Sequence, residues 1–218
     1  MQELKPNRRQ EQAQESRQRL MDAALEQFAR NGYARTSVHA LCQSLGVADS
    51  LLYHYFPRGK MELMQVIAEN HLSQLIDELN SLNQLVTPLP IEEMIEVLYQ
   101  RIRQAVLAHG DFFRLLLQEG EIREMLEYHR FFRLITARQQ WFLNLLESRA
   151  RQGEIQPIDF ESAAETLDSL MLYHLFTELT GITASPLGRD QHRKRLIACQ
   201  VELWKRPAAP KDIEKIDQ

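Results

Sequence analysis

The chain has 218 residues, 44% of them hydrophobic and 26% charged, a balance that supports a buried core and excludes an intrinsically disordered chain. Eight glycines and eight prolines are too few for the many turns of an all-β fold and favour long helices between a few breaks. The net charge of −4 is unevenly spread, with nine basic and six acidic side chains in residues 1–60 against 17 and 24 in the remainder. A basic head on an acidic body is expected where only the head meets a polyanion.

Residues 1–15 are polar and without periodicity, and read as a flexible arm. Leu20, Ala24 and Phe28 recur at i, i+4 and i+8, which predicts a helix from Ser16 to the Asn31-Gly32 stop. Thr36 or Ser37 then caps a second helix with Val38, Leu41, Cys42 and Leu45 on its inner face, ended by Gly46. A third, Ala48 to about Tyr55, stops before Pro57 because the residue preceding a proline is steered out of helix. Three short helices joined by tight turns form a helix-turn-helix pattern. Longer helices follow at 60–80, 91–109, 112–118, 122–152, 160–179 and 187–205, punctuated by TPLP at 87–90, Gly110, Gly120, Gly153, Pro157 and Gly181. Nine helices and no strand are expected, with an all-α head at 16–60, a larger helical body at 61–206 and a tail at 207–218.

The segment from Phe28 to Leu63, FARNGYARTSVHALCQSLGVADSLLYHYFPRGKMEL, resembles the DNA-binding domain of the TetR family of bacterial transcription regulators. Its F-x-x-x-G-Y-x-x-T-S-V, L-G-V and L-Y-H-Y-F runs and the following Lys60 carry the match. The resemblance implies a homodimer with an N-terminal three-helix DNA-binding domain and a helical ligand-binding and dimerisation domain. It also implies phosphate contacts from Arg35, Thr36, Ser37, Tyr53, His54 and Lys60. Chemistry agrees, because the second helix of such a pair lays its first turn at the base edges, here Ala48, Asp49, Ser50 and Leu51. Thr36 and Ser37 sit at a helix start, where free N–H groups favour a phosphate. Many members carry Ser at position 48, a small polar or Lys at 49 and Thr at 51; Ala48, Asp49 and Leu51 depart from that pattern. Arg8 and Arg9 offer an arm for the minor groove.

Enzyme motifs are missing: there is no GxGxxG, P-loop, HExxH or GxSxG, and no His follows a Glu by three residues. Cys42 and Cys199 lie far apart and read as small hydrophobes, so no metal, cofactor or disulfide is expected. Aromatics and a few polar tips point to an apolar effector pocket drawn from Ile67, His71, Phe113, Tyr128, Phe132, Ile135, Trp141 and Tyr173. The equivalent last two helices of the family pair across a two-fold axis, which places Leu167, Leu170, Met171, His174, Leu196, Cys199 and Leu203 at a dimer interface. The expected function is a repressor on a near-palindromic DNA operator, released by an amphipathic or aromatic small molecule. A helical ligand-binding protein with a degenerate DNA-binding head is the alternative. With neither a signal segment nor a membrane-length apolar run, the expected location is the cytoplasm.

Overall fold

The computed structural model describes residues 8–120, 122, 129–182 and 188–206. Among the described residues are nine helices and no strand: α1 (Arg8–Asn31), α2 (Val38–Leu45), α3 (Asp49–Tyr55), α4 (Lys60–Val86), α5 (Ile91–Ala108), α6 (Gly110–Gln118), α7 (His129–Arg151), α8 (Phe160–Thr180) and α9 (Asp190–Lys205). The all-α expectation holds, and most boundaries fall within two residues of it. Two differ more. Residues 8–15, expected as an arm, are helical, because Arg, Gln, Glu and Ala are strong helix formers and apolar periodicity reports burial rather than helicity. Helix α4 runs on to Val86, past the expected end near 80. The first residues of the expected helix 122–152, the arm before Arg8 and the tail beyond Arg206 lie outside the described residues.

The chain divides into two compact units, Met1–Leu75 with His109–Tyr128, and Ile76–Ala108 with His129–Gln218. In the first, α1 packs on α2 and α6, and α2 on α3. Its core gathers Leu20, Ala24 and Phe28 with Leu41, Cys42, Leu52, Phe56, Leu63, Met64, Ile67, Phe112 and Leu115. Each large side chain fully buried there is worth about 1.5–3 kcal/mol. The α2–α3 turn needs Gly46, whose φ of 65° is left-handed and lets its N–H satisfy the end of α2 at Gln43.

In the second unit α5 packs against α8 and α9, and α7 against α8. Ile91, Met94, Leu98, Leu146, Ile155, Val201 and Trp204 form its apolar centre. Ion pairs cross between its helices: Arg103 grips Glu178 through two hydrogen bonds of 2.5 and 2.7 Å. Arg193, only 4% exposed, donates to Glu96 at 2.6 Å and to Asp190 at 2.8 Å. Asp159 caps α8 by accepting from Ser162 N–H at 3.0 Å and Ser162 Oγ at 2.7 Å, which holds its carboxyl below the usual range.

Candidate functional site

Helices α2 and α3 and the turns beside them hold the residues expected to contact DNA. Ser37 accepts from Ala40 N–H at 3.1 Å, so its hydroxyl is the α2 cap and fixes where that helix begins. Ala48 occupies the same cap position before α3 without a side-chain hydrogen bond. Arg35, Ala48, Ser50, Tyr53 and His54 are exposed, with Asp49 and Leu51 half-buried. Exposure of alternate side chains along one short helix leaves its first turn and outer face open to a groove.

Three of the expected contacts have partners inside the unit. Thr36 is 4% exposed, and its hydroxyl donates to Gly32 O at 2.9 Å. It therefore locks the α1–α2 turn and presents no hydroxyl to solvent. Lys60 Nζ donates to Tyr33 O at 2.9 Å and lies 4.2 Å from the centre of the Tyr33 ring. Its ammonium thus stays within the unit, pinning the start of α4 to the turn after α1. Asp49 faces His39, whose Nδ1 lies 3.3 Å from its carboxylate. Nothing in the sequence announces His39, which is ten residues from its partner and reaches it only because the turn folds α2 against α3.

Two further features place this face. Gly59 has φ +66°, and a Cβ there would come within 3.1 Å of Tyr53 Cε1, so Tyr53 lies flat over the loop before α4. Glu119, at the end of α6, accepts from Tyr33 N–H at 3.1 Å and ties α6 to the same turn. Behind the face, His71 Nδ1 meets His109 Nδ1 at 2.7 Å, and the His71 ring stacks on Phe112 at 5.1 Å. Burial first, then the neighbouring His109, pushes the His71 imidazole below its ordinary pKa.

The second unit holds a cavity of about 110 Å³. Ile95, Leu98, Tyr99, Ile102 and Phe142 line it with Leu167, Leu170, Met171, Leu196 and Ile197, and Arg138, Asp168, Arg193 and Gln200 supply polar groups. The residues expected to form a pocket are placed differently. Ile67, His71 and Phe113 belong to the first unit, and neither Trp141 nor Tyr173 lines this cavity. Tyr173 is 51% exposed. Tyr128 and the side chains of Phe132 and Ile135 lie outside the described residues. Aromatic periodicity could not tell core from cavity wall, because both need the same residues.

Of the expected interface residues, Leu170, Leu196, Cys199 and Leu203 are exposed, and Leu167 and Met171 are half-buried. His174 departs, being 1% exposed and set 5.5 Å from the Tyr99 ring inside the unit. Leu172 and Phe176 are exposed on α8, an apolar surface that the sequence reading passed over.

Comparison with known proteins agrees with this geometry. Residues 20–67 match the model of bacterial regulatory proteins, tetR family. The HTH-type transcriptional regulator UidR of Escherichia coli K12 is 26% identical over 185 residues, covering 83% of this chain and 88% of UidR. The HTH-type regulator YerO of Bacillus subtilis is 22% identical over 122 residues, and the match spans 42% of its length and 56% of this chain. The crystal structure of the transcriptional regulator FadR from Bacillus subtilis, solved with stearoyl-CoA, shares the fold at a TM-score of 0.55 and 17% identity, covering 87% of this chain and 98% of that one. With the helix-turn-helix face built on α2 and α3, these matches show a tetR-type DNA-binding domain over residues 20–67 and make the chain similar to HTH-type transcriptional regulators.

Proposed function

We propose that the chain is a cytoplasmic repressor that binds a near-palindromic operator as a homodimer and leaves it when a small molecule occupies the body. The observation that carries the reading is the exposed set Arg35, Ser50, Tyr53 and His54 on and beside α3, within residues that match the family's DNA-binding domain. Ser50 in the first turn reads a base edge, with Tyr53, His54 and Arg35 holding flanking phosphates. Asp49, beside His39, accepts from cytosine N4. Thr36, Ser37 and Lys60 serve the site by fixing the turns that aim α3.

Dimerisation draws support from the apolar side chains left exposed on α8 and α9, among them Leu170, Leu172, Phe176, Leu196 and Leu203. A two-fold pairing of these faces covers them and sets two copies of α3 one or more helical turns apart on the duplex. Release by an effector draws support from the cavity of the second unit and from FadR, a protein of the same fold crystallised with stearoyl-CoA. By linkage the effector binds the operator-bound dimer more weakly, by the same factor that it weakens DNA binding.

The test is selection from random duplexes at moderate salt with the full chain. An enriched near-palindrome whose affinity falls steeply with salt supports the regulator. No enrichment, together with tight ligand binding, would show a helical ligand-binding protein whose head no longer reads DNA.

A further inference from the structure

The cavity of the second unit has an uneven polar lining. Its wall carries two guanidinium groups, and each already has partners. Arg138 donates to Asn83 and lies 4.4 Å over the Trp141 ring, and Arg193 is held by Glu96 and Asp190. The carboxylate is not matched in this way. Asp168 receives a hydrogen bond from Gln139, yet its Oδ2 is buried without a hydrogen-bond partner, and so is Tyr99 Oη in the same wall. A buried acceptor left open costs free energy that a ligand donor can recover. Everything else lining the cavity is apolar apart from Gln200.

We propose that this cavity binds a compact apolar amine, whose protonated nitrogen donates to Asp168 Oδ2 and reaches Tyr99 Oη, with the hydrocarbon part among Ile95, Leu98, Ile102 and Phe142. Its identity as an effector rests on the regulator reading above. Size limits the ligand: about 110 Å³ falls short of the roughly 150 Å³ cavity that accepts benzene in another protein. One ring is therefore the upper limit, and a fused-ring or long acyl ligand does not fit. Charge sets the class. Arg193 is matched by Glu96 and Asp190, and Arg138 acts on Asp168 without bonding to its Oδ2, so that open oxygen is the acceptor a cationic donor meets. An ammonium brings a full charge and an alcohol only a dipole to the same open oxygen, so the ammonium outcompetes an alcohol of the same shape. A carboxylate ligand meets Asp168 as a like charge and is rejected.

The experiment titrates benzylamine, benzyl alcohol, toluene and benzoate into the full chain by calorimetry, and repeats the series with Asp168→Asn. Benzylamine is expected to bind at least tenfold more tightly than toluene or benzyl alcohol, with benzoate weakest. Asp168→Asn is expected to bring benzylamine down to the level of toluene while leaving toluene unchanged. Equal binding of benzylamine and toluene, tightest binding by benzoate, or no binding by any probe would overturn the proposal. If Asp168→Asn does not fold, ¹³C-methyl methionine spectra of the natural chain decide. Benzylamine should shift the Met171 signal, assigned through Met171→Leu, and leave Met21 and Met64 of the first unit in place; the reverse pattern refutes the site. Operator affinity is measured with and without benzylamine. Binding at Met171 with operator affinity unchanged keeps the amine site and refutes effector release. Release by another compound, with benzylamine inert in every assay, refutes the amine site and keeps the regulator.

Discussion

Arg149 offers a sharp test of how the second unit is held together. The residue is 8% exposed, and its guanidinium donates to Glu154 Oε2 at 2.8 Å and to the carbonyls of Thr87 and Leu89, each at 2.6 Å. Glu154 in turn accepts from Ile91 N–H at 2.7 Å, at the first residue of α5. One side chain near the end of α7 therefore fixes the TPLP turn and steadies the start of the next helix. Arg149→Ala leaves two carbonyls and a carboxylate without their donor. Removing one partner of a buried ion pair costs about 3–5 kcal/mol. Because the Glu154 side chain is 25% exposed, water recovers part of that, and we expect a loss of about 3 kcal/mol, at the lower end of the range. Arg149→Lys keeps the charge but not the planar fork, and should lose roughly half as much. Both tryptophans, Trp141 and Trp204, belong to the second unit, so urea unfolding followed by tryptophan fluorescence reads this unit directly. A loss below about 1 kcal/mol for Arg149→Ala, or equal losses for Ala and Lys, would refute the reasoning.

The remaining predictions concern the head and the exposed faces. Ser37→Ala removes the α2 cap and should cost about 1 kcal/mol, read by hydrogen exchange of first-unit amides; unchanged protection of α2 would contradict the cap. The His71 imidazole titrates below its ordinary value, so the unfolded chain takes up its proton first as pH falls through about 6.5. The first unit should therefore lose stability as pH drops from 7 to below 6. Exchange protection of α4 and α6 measures this, and an identical pH slope in His71→Gln would remove His71 as its cause. Arg35→Ala should weaken binding to all duplexes alike and flatten the salt slope by about one unit, whereas Ser50→Ala should change which sequences are selected; the opposite assignment would reverse the two roles. Phe176→Glu should yield monomers in sedimentation equilibrium, and an intact dimer would place the interface elsewhere.

The helices were legible because each was marked by a period and a stop. Leu20, Ala24 and Phe28 announce α1, and all three are essentially fully buried. Gly46 and Pro57 mark the ends of α2 and α3 within a residue. The exception is instructive: residues 8–15 have no apolar face, so no periodicity could reveal their helix, and only composition favours it. Aromatic runs were ambiguous for a similar reason. Phe112 is fully buried and Phe113 nearly so, and a sequence cannot separate a residue that fills a core from one that borders a space within it.

The site was legible as a segment and not as a set of bonds. The fixed spacing from Phe28 to Lys60 located the face, yet it treated Thr36 and Lys60 as phosphate donors, and both donate to backbone carbonyls of the unit instead. Such pairings depend on where the chain turns: Lys60 meets Tyr33 across 27 residues, a separation that no local pattern encodes. The same holds for Asp49. In the sequence it is a lone acid on a surface meant for DNA, a liability of one like charge against phosphates. In the fold it stands beside His39, whose Nδ1 lies 3.3 Å from its carboxylate. The carboxylate thus has a partner within the unit that ten residues of separation hide from any local pattern.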